Sequence, residues 1–282
     1  MHVKIAVVQT RTFVGEDEEK NVSRALKYID QAVEKTAQVI CFPETYPGPW
    51  RAPISFSPIE ALCDKAKEEK VYVIAGTIEK VETGQKGCYN VAVLIGPEGK
   101  VLGKYRRTTP AGPWGYKSGN HWDFDYVEAD ELPVFETQFG KIGILICSEV
   151  YVPELSRILA LKGAEILFLP TGLTNKQQWA TWRTLIHARA IENLMYTATC
   201  RNILGVEPYT HGLAMISSPE EVLLESRRVG VFVEDLDMDR IRLLRRTRDI
   251  DIPKDKRAWK TKVGLLRYWR RPEMYKKALS SW

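Results

Sequence analysis

The sequence predicts an α/β protein in which two β-sheets pack against each other and helices cover their outer faces. Two observations support this class. Apolar, β-branched runs of strand length alternate with segments of helical periodicity along the 282 residues, without a break in composition. The strands far outnumber the helices, of which there are about five, so a second sheet is needed to bury all their apolar faces.

The strands are predicted where Val, Ile, Leu and aromatic residues dominate and turn residues flank the run. They lie at 3–9, 38–42, 71–75, 89–95, 100–106, 134–137, 141–147, 165–169, 195–201, 213–217, 222–225 and 229–235. Apolar residues at helical spacing, as at Val22, Ala25, Ile29 and Val33, predict helices. These cover 18–35, 58–70, 153–162, 177–194 and 237–248, the last with Asp237 as its N-cap.

Two long segments are expected to be loops. Residues 45–58 are rich in proline, glycine and aromatic side chains, and 108–131 contain five prolines and glycines before residue 120. Loops of this length inside a domain are usually functional or disordered, and Trp114, Tyr116 and Trp122 argue against disorder in the second. We therefore expect these loops to form part of a site.

Composition argues for a soluble protein of a reducing compartment. The chain is 44% hydrophobic and 27% charged, and its five cysteines are scattered without a CxxC pair. This argues against a disulfide framework and a zinc site. The first residues form a strand instead of a secretion signal, and no apolar run reaches membrane-spanning length. These features predict a cytoplasmic location and no membrane partner.

The positive charge is concentrated at the C-terminus. Residues 251–282 carry ten basic and three acidic side chains, a net charge of +7 in a chain whose total is +5. The same segment has five Trp or Tyr residues, so it could bind nucleic acid. Because no recognised nucleic-acid module precedes it, we favour an arm that packs on its own body or on a partner subunit. The predicted organisation is thus one domain at 1–250 followed by a basic aromatic arm at 251–282.

Side chains that could take part in catalysis lie at or just after the ends of three predicted strands. They are Glu44, the basic pair Arg106-Arg107, and Cys147. Ligands bind at the carboxyl ends of strands in α/β sheets. Taken singly, each has an ordinary explanation: a solvated loop acid, a hairpin arginine and a buried thiol. Taken together, they supply a base, a cation and a nucleophile.

The order of these motifs resembles the carbon–nitrogen hydrolase (nitrilase) superfamily. The motifs are Phe42-Pro43-Glu44, then 103–110 (Gly-Lys-Tyr-Arg-Arg-Thr-Thr-Pro), then 143–149 (Gly-Ile-Leu-Ile-Cys-Ser-Glu). The likeness runs from about residue 3 to about 248. It implies a four-layer α-β-β-α sandwich and a Glu-Lys-Cys catalytic triad. By motif, Glu44 is then the general base and Cys147 the nucleophile.

The sequence departs from the family pattern at the cation. The family's lysine falls at Arg107, and the loop 108–120 holds no acid where many relatives have a second glutamate. Arginine keeps its charge and can hold an oxyanion, but it cannot donate a proton at working pH. The leaving amine would then be protonated by Glu44. Lys117, the only charge in that loop, is the alternative cation.

The resemblance implies acyl transfer without a metal or organic cofactor. The expected substrate is an amide or an N-carbamoyl compound, hydrolysed through a thioester on Cys147. Nitriles are a second possibility, disfavoured because Ser148 stands where nitrilase branches often have tryptophan. A non-catalytic relative that only binds a ligand or partner is the rival class. A homodimer or larger oligomer is expected, and no nucleic-acid partner.

The remaining candidates are predicted to bind the substrate or to support the residues that do. Those with the best positions are Tyr46, Trp114, Tyr116, Lys117, Glu149 and Asn175. Trp179 and Trp182 lie three apart on a predicted helix, so core packing is an equal interpretation for them. Arg51, Arg183 and Arg201 could each meet a substrate carboxylate, but we favour a position at the surface or behind the pocket for each of them.

Overall fold

The fold consists of two β-sheets joined along one short strand pairing. A computed structural model describes residues 1–50, 53–82, 87–109, 127–172, 179–203, 212–246 and 271–280. In these residues the first sheet has the order β5-β4-β3-β2-β1-β12 and the second β6-β7-β8-β9-β10-β11. The sheets meet where Thr10 of β1 pairs with Asn202 of β9. The strands are β1 His2–Arg11, β2 Val39–Cys41, β3 Tyr72–Lys80, β4 Cys88–Ile95, β5 Val101–Arg106, β6 Val134–Thr137, β7 Gly140–Ile144, β8 Ile166–Thr171, β9 Tyr196–Ile203, β10 Ala214–Ser217, β11 Val222–Ser226 and β12 Gly230–Asp237.

Helices cover the outer face of each sheet, which confirms the four-layer α-β-β-α arrangement. Five of them lie in the described part of the main body: α1 Lys20–Glu34, α2 Ile59–Glu69, α3 Pro153–Leu161, α4 Trp179–Asn193 and α5 Met238–Arg246. Successive residues of β1 point to opposite faces. Ala6 and Val8 pack with α1 and α2, whereas Ile5 and Val7 join a core that includes residues of the second sheet.

Most predicted elements are present, with changes at their ends. Helix α5 begins as predicted, since the Asp237 carboxylate accepts the backbone N–H of Asp239 at 3.0 Å. Strand β3 was expected to stop before Gly76 but continues to Lys80, where it pairs with β4. Gly76 is needed there because a Cβ at that position would lie 2.2 Å from the backbone nitrogen of Thr45.

The strand predicted at 141–147 ends early, at Ile144. The backbone N–H of Ile146 donates to the Glu149 carboxylate at 2.7 Å instead of to the neighbouring strand. Cys147 therefore opens a 3-10 turn, Cys147–Tyr151, and does not end the strand. A side-chain acceptor three residues ahead competes with the sheet for that donor.

One edge of the sandwich collects the carboxyl ends of several strands. Strands β1, β2 and β3 run parallel, as do β7, β8 and β9. β5 has the same direction as β3 because both pair antiparallel with β4. Glu44, Arg107, Cys147 and Gly172 follow β2, β5, β7 and β8 along the chain. The topology thus places the candidate residues at a common edge.

No helix in the described residues is long and apolar enough to cross a membrane. Of the predicted arm, only 271–280 fall within the described residues, and they contain a helix, Pro272–Leu279, in which the side chains of 272–278 are exposed. The predicted domain boundary at residue 250 lies outside the described part of the chain.

Candidate active site

Glu44 is a buried carboxylate held from three directions. Its side chain is 2% exposed. Oε1 accepts hydrogen bonds from Asn90 Nδ2 at 2.7 Å and from Arg107 Nη1 at 2.9 Å. The backbone carbonyl of Glu44 accepts from Asn202 Nδ2 at 2.7 Å. Because both the backbone and the carboxylate are fixed, Glu44 can act on a proton only in a defined direction.

Arg107 lies at the centre of the site, and each of its three guanidinium nitrogens donates a hydrogen bond. It is 3% exposed and follows β5, anchored by its backbone N–H to the Asn90 carbonyl at 2.9 Å. Nε donates to the Thr109 carbonyl at 2.7 Å, Nη1 to Glu44, and Nη2 to the Ser148 hydroxyl. Ser148 directly follows Cys147. The arginine therefore connects the carboxylate with the turn that carries the thiol.

Cys147 is presented on a tight turn. Its φ of 55° lies in the left-handed region, which is uncommon for a residue with a side chain and is one of the strained conformations found at functional sites. Its thiol is within hydrogen-bonding reach of the Glu44 carboxylate and of the backbone of Gly172. Gly172 must be glycine because a Cβ there would lie 2.4 Å from Glu44 Oε2.

The thiol is protonated in the resting site. Burial and, to a smaller extent, the negative charge of Glu44 raise the pKa of Cys147, Arg107 and the Gly172 backbone partly oppose the rise, and the net value is about 12. A nucleophilic thiolate therefore has to form by proton transfer to a neighbouring base during the reaction. Glu44 is the carboxylate in place for that transfer.

Glu149 links the arginine loop to the cysteine turn. It is fully buried, and Oε1 accepts the backbone N–H groups of Thr108 at 2.9 Å and Thr109 at 3.2 Å. Oε2 accepts the Ile146 N–H, and the Tyr105 hydroxyl donates to the carboxylate at 2.7 Å. Burial raises the pKa of Tyr105, and the negative charge of Glu149 adds to the rise. Glu149, predicted as a substrate-binding or supporting residue, is in a supporting position.

The structure brings Glu44, Arg107 and Cys147 together but places Tyr46 elsewhere. Tyr46 is fully buried between the first sheet and α1, and its hydroxyl donates to the Asn21 carbonyl at 3.2 Å. It supports the loop after Glu44 and does not line a pocket, because the hydrophobic residues under α1 enclose its ring. Its position therefore fits the supporting role that the sequence allowed for it, and not the substrate-binding one.

The other candidates are divided between core, surface and the undescribed segments. Trp182 is 2% exposed and belongs to the core between the layers. Trp179 is partly buried against the same core, and Arg183 pairs with Glu225 on the surface. The candidates that lie outside the described residues are Arg51, Trp114, Tyr116, Lys117 and Asn175.

Sequence reasoning missed the two asparagines that hold Glu44. Asn90 and Asn202 are both fully buried, one in β4 and one in β9. A polar amide within an apolar strand is the signal that could have found them, since a buried amide needs a partner. Among the described residues, no group of three His, Cys, Asp or Glu side chains is arranged to hold a metal ion.

Comparison with known proteins shows the family to which this chain belongs. The carbon-nitrogen hydrolase family model matches residues 4–246. A deaminated glutathione amidase from Synechocystis is 30% identical over 80% of this chain and 89% of its own length. A nitrilase from Pyrococcus abyssi is 32% identical over 90% of this chain and 97% of its own. The fold also superimposes on an amidase from Nesterenkonia sp. AN1 with a TM-score of 0.71, at 22% identity, over 86% of this chain and 94% of that one. That amidase was solved as a glutamate-to-glutamine mutant, with the acetamide moiety of fluoroacetamide added at its active-site cysteine. The chain belongs to the carbon–nitrogen hydrolase family.

Proposed function

We propose that this protein hydrolyses the carbon–nitrogen bond of a non-peptide amide or N-carbamoyl compound through a thioester on Cys147. The observation that carries the proposal is the meeting of a buried carboxylate, a guanidinium and a thiol at one strand edge. The similarity to a deaminated glutathione amidase supports an amide as substrate.

The first half of the reaction transfers the acyl group to sulfur. Glu44 accepts the thiol proton as Cys147 attacks the amide carbon, and a negative charge develops on the amide oxygen. Arg107 and backbone N–H groups of the turn that follows Cys147 stabilise that charge. When the carbon–nitrogen bond breaks, Glu44 returns the proton to the leaving amine, because arginine cannot donate one at working pH.

The second half releases the acid. Water enters in place of the amine, and Glu44 accepts its proton as the oxygen attacks the thioester carbon. The same donors hold the second tetrahedral intermediate. The carbon–sulfur bond then breaks, Cys147 recovers its proton, and the carboxylic acid leaves. One carboxylate thus serves both steps in turn.

A nitrile is the second candidate substrate. The observation in its favour is the 32% identity to a nitrilase across nearly the whole chain. Ser148 makes amides the first choice, because nitrilase branches often have a tryptophan directly after the cysteine. Release of ammonia from paired amides and nitriles of the same acyl group distinguishes the two.

The test is an ammonia-release screen with amides and N-carbamoyl compounds, followed by mass spectrometry of the intact protein. We expect turnover of at least one amide and an acyl adduct on Cys147 when the reaction is quenched. Cys147→Ala should lose more than about a thousandfold in kcat, with an unchanged circular dichroism spectrum. The matched control is Cys63→Ala, which alters a half-buried cysteine of α2.

Two results would contradict the proposal. Turnover by Cys147→Ala above a thousandth of the wild-type rate would exclude the nucleophile role. A full-length protein that binds amides without releasing ammonia or forming an adduct would favour the non-catalytic class.

A further inference from the structure

An arginine beside the active site is buried with its charge unpaired. Arg201 lies in β9 and is 0% exposed. Within the described part of the chain, none of its three guanidinium nitrogens meets a hydrogen-bond acceptor. Its guanidinium stacks on the ring of Trp182 at 4.7 Å. Burying a charge of this kind costs folding free energy unless an opposite charge or a hydrogen-bond acceptor pairs with it.

Arg245 shows what a structural arginine looks like in this protein. Burial lowers the pKa of both Arg245 and Arg201 to about 10. Arg245, however, donates to the backbone carbonyls of Leu194 at 2.7 Å and Ala164 at 2.6 Å. It joins the end of α4 to the turn before β8. Arg201 is more deeply buried than Arg245, which is partly exposed, and it has no comparable structural task apart from the stacking.

Arg201 lies near the edge of the second sheet that carries Cys147. Arg201 pairs with Thr171 in the register of β8 and β9. The next residue, Gly172, contacts the thiol of Cys147 through its backbone. At the other end of the turn that opens with Cys147, the Tyr151 ring meets the edge of Trp182 at 5.5 Å. Arg201 is therefore close enough to the turn for the charges of Cys147 and Tyr151 to act on its guanidinium.

The carboxylates of the site are not available to Arg201. Glu44 is engaged by Arg107 and Asn90, and Glu149 is engaged by donors of the arginine loop and of Ile146. The planar guanidinium fits a carboxylate through two parallel hydrogen bonds, and Trp182 fixes its plane. A carboxylate carried by a ligand would supply the hydrogen-bond acceptors and the negative charge that the Arg201 guanidinium lacks.

We propose that Arg201 binds a carboxylate carried by the substrate, so that the enzyme prefers amides with a terminal carboxylate. This inference rests on the proposed function. It assigns the substrate class: a short acid that is an amide at one end and a carboxylate at the other. The amide carbon lies at Cys147 and the carboxylate lies on Arg201, which orients the scissile bond before the attack.

The test compares matched amides with the full-length protein. The monoamides of malonate, succinate and glutarate carry the charge, and amides of the same length that end in a methyl ketone have nearly the same shape without it. We expect kcat/KM to favour at least one monoamide over its ketone partner by about 100-fold, because a charge pair in a dry pocket is lost with the ketone. Equal values in all three pairs would overturn the inference and leave the amidase proposal intact.

Two variants assign the preference to Arg201. Arg201→Gln should lower the preference below about tenfold, and Arg201→Lys should keep part of it, since the charge remains without the planar fork. Arg245→Lys is the matched control and should leave the ratio unchanged. A 100-fold preference that survives in Arg201→Gln would contradict the assignment. If Arg201→Gln fails to fold, the comparison of substrates with the unmutated protein and with Arg201→Lys still decides.

Binding separates this inference from the proposed chemistry. Cys147→Ala should bind the preferred monoamide in titration calorimetry, and the added Arg201→Gln change should weaken that binding at least about tenfold. If no amide is hydrolysed but this Arg201-dependent binding is present, the amidase proposal fails and the carboxylate anchor stands. No measurable binding of any of the three monoamides by Cys147→Ala would overturn the anchor.

Discussion

Arg107 donates one hydrogen bond to the base and another to the residue after the nucleophile. We predict that Arg107→Ala loses about 3 kcal/mol of transition-state stabilisation, more than 100-fold in kcat/KM, because an oxyanion donor is removed. Arg107→Lys should retain most of the activity on simple amides, since the charge is kept. The readout is steady-state ammonia release, with folding checked by circular dichroism.

Arg106 provides the matched control for that experiment. It is the preceding residue, is 42% exposed, and pairs with Glu79 at 2.7 Å on the surface. Arg106→Ala should change kcat/KM by less than about twofold, as expected for a surface ion pair. If Arg107→Ala is fully active and Lys117→Ala is inactive, the cation of the site is Lys117.

The raised pKa of Cys147 makes the fold sensitive to alkaline pH. The folded-state pKa of about 12 lies above the value of about 8.5 for an unfolded cysteine. The protonated thiol therefore contributes fully to stability below pH 8.5, and this contribution is lost as pH rises toward 12. Between pH 7 and 10 the wild type should lose about 2 kcal/mol more unfolding free energy than Cys147→Ala. Urea titrations at the two pH values measure this, and parallel losses would contradict it.

At the scale of elements, Glu149 joins the segment after β5 to the turn after β7. We predict that Glu149→Gln lowers kcat at least tenfold and the unfolding free energy by about 2 kcal/mol, because an amide group presents hydrogen atoms to donors that need an acceptor. KM should change little, since Glu149 contacts no substrate in the proposed mechanism. Thermal unfolding and steady-state kinetics measure the two effects.

A matched control for Glu149 lies five residues further along the chain. Glu154 is exposed in the first turn of α3. Glu154→Gln removes the same charge without a buried network and should leave kcat unchanged within about twofold. Normal kcat in Glu149→Gln would show that the arginine loop and the cysteine turn hold their places without this carboxylate.

At the scale of the whole molecule, the C-terminal segment is expected to pack on a second copy of the chain. In the helix Pro272–Leu279, Met274 is 50% and Tyr275 44% exposed, and the segment 251–282 carries a net +7 with five Trp or Tyr residues. Such apolar surface is usually covered by a partner. We predict that truncation after Ile250 lowers the oligomeric state or the solubility, measured by light scattering.

The full-length protein sets the reference for that measurement. A monomer of 32.2 kDa in solution would exclude the proposed packing on a partner. Binding to RNA or DNA that weakens steeply with salt and disappears on truncation would assign the arm to nucleic acid instead. Unchanged nucleic-acid affinity together with a smaller assembly would support a subunit contact.

The sequence by itself determined the layers of this protein and the chemistry at its strand ends. The apolar run of β1 and the helical spacing in α1 are local patterns, so the sandwich could be predicted from patterns of this kind. Glu44 and Cys147 could be found because each follows an apolar run within a short motif. The turn at Cys147 was not predicted, because its strand is ended by a carboxylate three residues later.

Only the tertiary structure decided which groups complete one another. Asn90 reaches Glu44 across 46 positions of sequence and Asn202 across 158, and no local pattern specifies such hydrogen bonds. The sequence also could not distinguish Arg183, which pairs with Glu225 on the surface, from Arg201, which is buried with an unpaired charge. Both are arginines in regular elements. Their difference arises from strand register and from the helix packed above, because burial and available acceptors are properties of the folded chain.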